Sequence, residues 1–252
     1  MFALALIEGE STLAVIGHVE SAMYIQMTLD TLLSYGADIT KKNNVFTIKS
    51  KQLTSPDTSY VEGDWSNAAF PLCAAALGGT VTLNNVNLSS NQGDIRILDL
   101  LKQFGANVSV QCNSVTVSHK ELHGINIDST DIPDLVPVLA VVASAASGET
   151  NIYGATRLRI KESDRLQTTY EMLNDLGADI IPTDDGFIIK GKNKLSGGTV
   201  SSYNDHRIAM SAAVASCICK ENVIIKDARA VEKSYPNFWE DFEKLGFNID
   251  LN

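Results

Sequence analysis

Residues 101–108 read LKQFGANV, and the same phrase returns as LLSYGADI at 32–39, LNDLGADI at 173–180 and FEKLGFNI at 242–249. The glycines are Gly36, Gly105, Gly177 and Gly246, spaced by 69, 72 and 69 residues. A glycine closing an amphipathic run suits the left-handed residue that stops a helix, with a strand following. A second marker keeps step: EGESTL, GGTVTL, GETNI and KENVI put Gly9, Gly78, Gly148 and Lys220 at spacings of 69, 70 and 72. Two independent markers agree, so the chain carries an internal repeat of about 70 residues.

Each repeat reads as an apolar helix, a strand, an amphipathic helix and two strands. The first helix, at 68–77, 135–146 and 208–219, is almost wholly apolar, and a helix apolar all round is buried on every side. The second, as at 95–104 and 166–176, is amphipathic. VFTIK at 45–49 and FIIKG at 187–191 follow the polar turns KKNN and TDDG as strands. Buried helices wrapped by sheets predict an α+β architecture rather than a doubly wound one. Before Gly9 stand only eight residues, and FALALI at 2–7 reads as the tail of a buried helix. That register predicts that Met1 falls inside a helix and marks a truncation, leaving one repeat half built.

The chain has 252 residues, 44% of them apolar and 20% charged, with a net charge of −10. So acidic a balance argues against nucleic-acid and membrane-surface partners, which need a basic face. The longest apolar run, 135–146, is too short to span a bilayer. No basic n-region or cleavage-like segment follows Met1, so a cytoplasmic protein is expected. Cys73, Cys112, Cys217 and Cys219 are expected as free thiols in a reduced compartment, and His18, His119 and His123 as surface residues. Metal-ligand spacing, glycine-rich phosphate loops and a nucleophile elbow are all absent from the sequence, so neither a cofactor nor a metal is expected.

The repeat also sorts the polar motifs. Before the apolar helices come VEGDWSN (Asp64), STDIPD (Asp131) and YNDHR (Asp205); before the amphipathic ones come HVESAMY, NQGD (Asp94), RLRIKESDR and VEKSYPN. Equivalent helix starts face the same way, so these loops are expected on one rim, where unpaired amides favour anions. For Asp64 and Asp94 taken alone, capping is the expected role. RLRIKESDR gathers Arg157, Arg159, Lys161 and Arg165 with Glu162 and Asp164 in an acidic chain. YNDHR sets His206 and Arg207 at the mouth of an apolar helix, where buried charges need partners or a ligand. For His206 alone, a capping or structural role and a catalytic one stay open.

RIKESDR, then YNDHRIAM some forty residues later, with VEGDWSNAAF, DIPD and EKSYPNFW, resembles the 5-enolpyruvylshikimate-3-phosphate synthase family along the whole chain. The related UDP-N-acetylglucosamine enolpyruvyl transferases share the fold but lack KESDR and NDHR. The resemblance implies an enolpyruvyl transferase-like fold of inverse α/β repeats (βαβαββ units) in two lobes. Residues 1–59 would be the remnant of the shikimate-phosphate-binding lobe, and 60–252 the lobe carrying the phosphoenolpyruvate-binding and acid/base residues. It implies transfer of the enolpyruvyl group of phosphoenolpyruvate to the 5-hydroxyl of shikimate 3-phosphate with release of phosphate, a step of aromatic amino-acid biosynthesis. Asp131 would bind the shikimate hydroxyls and act as base, and Glu162 would handle the proton at the methylene carbon. Arg165, Arg207 and Lys233 would grip phosphoenolpyruvate, and Lys161 would contact shikimate 3-phosphate. Ser21 and Tyr24 of ESAMY match the family's SKPY, with Ala22 and Met23 in place of Lys and Pro. Asp64, Asp205 and His206 would support.

The family's N-terminal loops have no counterpart here, so this chain alone is expected to be inactive or nearly so. The parent enzyme is expected to be monomeric, and the exposed half-helix at 2–7 to favour self-association of the fragment. The other readings are a non-catalytic anion-binding fragment and a UDP-sugar enolpyruvyl transferase.

Overall fold

The four marker glycines take the backbone that closes a helix, with φ of 80° at Gly36, 105° at Gly105, 87° at Gly177 and 98° at Gly246. After each, the chain turns back on the same bond. The amides of Ala37, Ala106, Ala178 and Phe247 donate to the carbonyls of Leu32, Leu101, Leu173 and Phe242 at 2.9–3.1 Å. The computed structural model describes residues 1–17, 19 and 22–251. His18 and Ser21 therefore lie outside the described residues.

The chain forms two compact units, Met1–Glu62 with Ser89–Gly93, and Gly63–Leu88 with Asp94–Asn252. The division after residue 59 read from the sequence falls inside the first unit, which also takes a short later segment. That unit holds β1 (Glu10–Ala14), α1 (Ala22–Ser34), β2 (Asp38–Lys42) and β3 (Val45–Lys49), with the antiparallel order β1-β3-β2. Leu29 and Leu32 of α1 pack on Ile39, Phe46 and Ile48 of the sheet. The stretch expected as a buried helix tail is one 3-10 turn, Leu4–Leu6, in which only Ala5 is buried. So short a turn lacks the propagation bonds that offset helix nucleation.

The second unit holds three repeats. The first comprises α2 (Trp65–Gly78), β4 (Thr80–Leu83), α3 (Ile97–Phe104), β5 (Asn107–Gln111) and β6 (Ser114–Ser118). Next comes a complete βαβαββ repeat: β7 (Asn126–Asp128), α4 (Val136–Ala145), β8 (Glu149–Tyr153), α5 (Arg165–Asp175), β9 (Asp179–Pro182) and β10 (Phe187–Lys190). The last comprises β11 (Gly198–Ser201), α6 (His206–Ala215), β12 (Val223–Lys226) and α7 (Phe238–Lys244). The sheets run β4-β6-β5, β7-β8-β10-β9 and β11-β12, and β7 with β8 and β11 with β12 are the parallel pairs. Each parallel pair encloses a buried helix in its crossover, as the chain needs to return on the same side.

Helices α2, α4 and α6 pack on one another at the centre. From Val136 to Ala143 every residue of α4 except Pro137 has an exposure of 0%, which is why its sequence has no polar face. Helix α6 stops at Ala215, earlier than its apolar run suggests, because Ser216–Ile218 tightens into a 3-10 turn. No helix among the described residues is long and apolar enough to cross a membrane.

A Cβ at Gly105 would lie 2.8 Å from the Glu121 carbonyl oxygen, whereas one at Gly148 (φ 90°) would meet open space. Gly148→Ala should therefore cost about 1–2 kcal/mol, the left-handed strain alone, and Gly105→Ala should cost more, as read from urea unfolding curves.

Candidate active site

Arg165 begins α5, which Asp164 caps by accepting from Gln167 N at 3.2 Å. Its side chain is 1% exposed, the largest fully buried one after Trp65. Burying a guanidinium costs several kcal/mol unless its donors are met, and here carboxylates meet them. Nε donates to Asp205 Oδ2 at 2.7 Å and Nη2 to Asp205 Oδ1 at 3.1 Å, a bidentate pair. Nη1 donates to Asp134 Oδ1 at 2.8 Å, and Nη2 to Glu162 Oε2 at 2.5 Å. Asp205 is also the N-cap of α6, accepting from Arg207 N at 2.9 Å, and takes Ser163 Oγ at 3.0 Å. Asp134 lies in the 3-10 turn Pro133–Leu135 that leads into α4. One guanidinium thus ties together the starts of α4, α5 and α6, the rim expected from the repeat.

Two more cations close on Asp134. Lys161 Nζ is 3.2 Å from Oδ1 and Arg207 Nη2 3.4 Å from Oδ2, and Arg207 Nη1 donates to the Asp134 carbonyl at 3.3 Å. Three carboxylates, Asp134, Glu162 and Asp205, therefore balance three cations, Lys161, Arg165 and Arg207. Burial pushes the Asp134 carboxyl up, but Arg207, Lys161 and Arg165 outweigh it and hold the group below the usual range. At Asp205 burial is likewise overcome, by Arg165 above all. Burial works against the charge on Arg165, and its three carboxylates raise its pKa in spite of that.

His206 follows the cap. Burial and the neighbouring Arg207 depress its pKa, so the ring is neutral at pH 7. Its Nδ1 is 3.9 Å from Asp205 Oδ1 and 4.0 Å from Glu162 Oε1, and has no hydrogen-bond partner among the described residues. Just before the cap, Tyr203 and Asn204 both adopt left-handed backbone, with φ of 53° and 55°. That double turn presents the Asn204 carbonyl to Lys233 Nζ at 2.5 Å. At the head of α2, Asp64 caps through Ser66 N at 2.8 Å and Asn67 N at 3.3 Å. Asp94 is not a cap. It is 1% exposed, accepts the Ser66 hydroxyl, and burial raises its pKa to about 6.

The structure thus brings together Lys161, Glu162, Arg165, Asp205, His206 and Arg207 as the sequence grouped them, and places Lys233, at the end of the 3-10 turn Ala228–Lys233, against the Asn204 carbonyl. Asp131 stands apart. It is exposed in the turn closed by Ile132 N to Ser129 O at 3.0 Å, and joins none of these ion pairs. The DIPD carboxylate in the network is Asp134, three residues on. Pro133 starts the 3-10 turn, and Ile132 and Leu135, both at 0% exposure, anchor its two sides, which leaves Asp134 on the rim. Nothing in the sequence pairs Ser66 with Asp94, which stand 28 residues apart and meet only in the fold. Tyr24 lies on α1, in the other unit, and is 39% exposed.

The sequence profile of one family, described as EPSP synthase (3-phosphoshikimate 1-carboxyvinyltransferase), matches residues 1–242. The chain belongs to the EPSP synthase family. Among curated relatives, the 3-phosphoshikimate 1-carboxyvinyltransferases of Clostridium novyi and Clostridium perfringens are 45% and 47% identical over 251 and 249 residues. These alignments cover 99% and 98% of this chain, and the chain spans 58% of the length of each relative. A solved EPSP synthase from Acinetobacter baumannii superimposes with a TM-score of 0.83 at 30% identity, over 96% of this chain and 58% of that one. The enolpyruvyl transferase-like α+β fold is thereby shown, and the matched family is the shikimate one rather than the UDP-sugar one.

Removing Asp205 would strand the buried Arg165. Asp205→Ala should cost about 3–5 kcal/mol, while Glu162→Ala, whose carboxylate is 44% exposed, should cost about 1 kcal/mol or less, both from urea unfolding.

Asp94 gives a distinct pH signature. Its folded pKa of about 6 lies above that of an unfolded aspartate, so its contribution is full at low pH and is lost as pH rises through 6. Asp94→Asn should therefore match the parent below about pH 4 and become relatively more stable from there to pH 7. Asp134 and Asp205, with depressed pKa values, act oppositely: their contribution is present above about pH 4 and is lost as pH falls below it.

Proposed function

We propose that this chain carries the phosphoenolpyruvate-binding and proton-transfer half of a 3-phosphoshikimate 1-carboxyvinyltransferase. The observation that carries it is two carboxylates, Asp134 and Glu162, held on one buried guanidinium with Lys161 and Arg207 directed at the first. In the reaction, the 5-hydroxyl oxygen of shikimate 3-phosphate bonds to C2 of phosphoenolpyruvate and gives up its proton, while C3 gains one. The tetrahedral intermediate then loses phosphate and returns a C3 proton, restoring the alkene in the transferred group. One group must accept the hydroxyl proton and another must serve the methylene carbon.

Asp134, ionised at neutral pH and fixed by three cations, suits the hydroxyl, and takes the place first given to Asp131. Glu162 is the more exposed of the pair and suits the methylene carbon, with neutral His206 Nδ1 4.0 Å from its free oxygen to pass a proton. Four of the five Arg165 donors are already engaged. Arg165 therefore offers an anion one Nη1 hydrogen, and Lys161, Arg207 and Lys233 supply the remaining charge. Because the six central groups sum to zero, phosphoenolpyruvate has to draw Lys161 and Arg207 partly away from Asp134. Ser21 and Tyr24 enter the proposal only through the SKPY resemblance, as contacts to the phosphate end of shikimate 3-phosphate.

The chain spans 58% of its relatives' length, so the direct test is binding of phosphoenolpyruvate rather than turnover. Titration calorimetry should show saturable binding that Lys233→Ala and Arg207→Ala each weaken about tenfold, the loss of one charged contact. Binding should strengthen as salt is lowered. No saturable heat at millimolar phosphoenolpyruvate, or binding by both variants as tight as that of the unaltered chain, would sink the proposal. A non-catalytic anion site would instead bind inorganic phosphate as well as phosphoenolpyruvate.

A further inference from the structure

The residues around Lys233 are held from two directions. On one side Lys233 Nζ donates to the Asn204 carbonyl at 2.5 Å. On the other, Asn67 Nδ2 donates to the carbonyl of Ser234, the next residue along, at 3.0 Å. Asn67 and Ser234 stand 167 residues apart, in the first and last repeats of the second unit. Their bond ties the head of α2 to the segment that follows the 3-10 turn Ala228–Lys233.

Helix formation does not account for Asn67. It is the third residue of α2, and its backbone amide is already met by the cap, donating to Asp64 Oδ1 at 3.3 Å. A glutamate or glutamine at this position would reach back to the amide of the cap residue, and asparagine is among the weaker helix formers. The Asn67 side chain serves neither end and bonds to Ser234 instead. Its Oδ1 is buried without a hydrogen-bond partner among the described residues, and so is the Ser234 hydroxyl. Orphaned buried atoms of this kind call for a reason other than stability. The bond from Nδ2 to the Ser234 carbonyl supplies one.

The other contact of this segment is fixed from beneath. The amides of Tyr203 and Asn204 donate to the hydroxyls of Ser201 and Ser202, each at 3.1 Å, and Ser202 Oγ donates to the Asp227 carbonyl at 3.0 Å. Lys233 Nζ thus rests on a rigid carbonyl. An anion that takes the ammonium has to draw it off that carbonyl, and Lys233 then loses this restraint. The Asn67 bond to the following peptide stays in place, because it uses no atom of the lysine side chain. A lysine stem is long and flexible, so the anchoring of its backbone limits the space its charge can sweep.

We propose that Asn67 is a positioning residue for Lys233: its bond to the Ser234 carbonyl fixes the backbone from which the ammonium reaches the anion site. This role rests on the reading of Lys233 as a phosphoenolpyruvate contact. Asn67 touches no substrate and acts through the lysine. The head of α2 thereby joins a rim otherwise built from the starts of α4, α5 and α6.

A double-mutant cycle in the full chain tests this, with Asn67→Ala, Lys233→Ala and the two combined. Asn67→Ala alone should weaken phosphoenolpyruvate binding about fivefold, the loss of one hydrogen bond. Where Lys233 is already alanine, it should weaken binding by less than about twofold. A tether that merely supports the fold would weaken both backgrounds equally. A second readout needs no ligand: the rate at which acetic anhydride modifies Lys233, followed by peptide mass spectrometry. Asn67→Ala should raise that rate at least about threefold, as local loosening would, and leave the rates at Lys102 and Lys190 unchanged. Equal losses of affinity in the two backgrounds, or an unchanged Lys233 rate, would overturn the proposal. If the unaltered chain bound no phosphoenolpyruvate, the proposed function would fall. A raised Lys233 rate would then still support the tether, and an unchanged one would refute it.

Discussion

The bidentate pair between Arg165 and Asp205 is the interaction on which the remaining structure of the rim depends. Asp205 satisfies the Arg207 amide at the start of α6 and, with its two oxygens, the inner edge of a guanidinium that is 1% exposed. Arg165 in turn fixes Asp134 and Glu162, which belong to the lead-in of α4 and the loop before α5. Three helices with nothing but apolar contact along their lengths are free to slide by a fraction of a turn at little cost. A shared charge at their starts removes that freedom, because each carboxylate has to stay within hydrogen-bond reach of one rigid fork. Ion pairs of this kind add little net stability relative to apolar packing. What they supply here is register.

The same arrangement explains how polar groups coexist with so apolar a core. The helices α2, α4 and α6 are buried along most of their lengths, so their starts are the places where chain polarity has to be met. Asp64 and Asp205 do this as caps, and at the lead-in of α4 Asp134 faces cations from its own repeat and from the next. A charged rim thus grows out of an obligation of the fold. Groups already needed to satisfy helix ends need only be charged and mutually close to become a site for an anion.

Much of this was legible in the sequence, and for identifiable reasons. The period of 69 to 72 residues was visible because the αL closing position tolerates few residues besides glycine, and the buried helices because they lack any polar face. KESDR and NDHR were visible because charged residues beside an apolar run need partners. The choice between Asp131 and Asp134 was not, since both belong to one short motif and only the turn set by Pro133 separates them. The contact of Ser66 with Asp94 was also beyond reach, because it joins the first turn of α2 to the 3-10 turn Gly93–Arg96 through the packing of helices. The half-built repeat was expected at the front of the chain, where a single 3-10 turn stands in place of a helix tail. Among the described residues the sheet of the last repeat has two strands against four in the repeat before it, a difference the sequence does not signal because α7 and its closing glycine follow the common pattern.

The wholly apolar character of the central helices has a consequence for how the molecule is made. An amphipathic helix can form early and wait with its polar side in water, but α4 has no such side. Until α2, α4 and α6 have all been synthesised and brought together, each presents a sticky cylinder to its surroundings. The parallel pairing of β7 with β8 and of β11 with β12 adds a further delay, because it joins segments separated by an entire helix. Refolding from denaturant is therefore a race between assembly of the trio and association between molecules, and recovery should fall steeply as protein concentration rises.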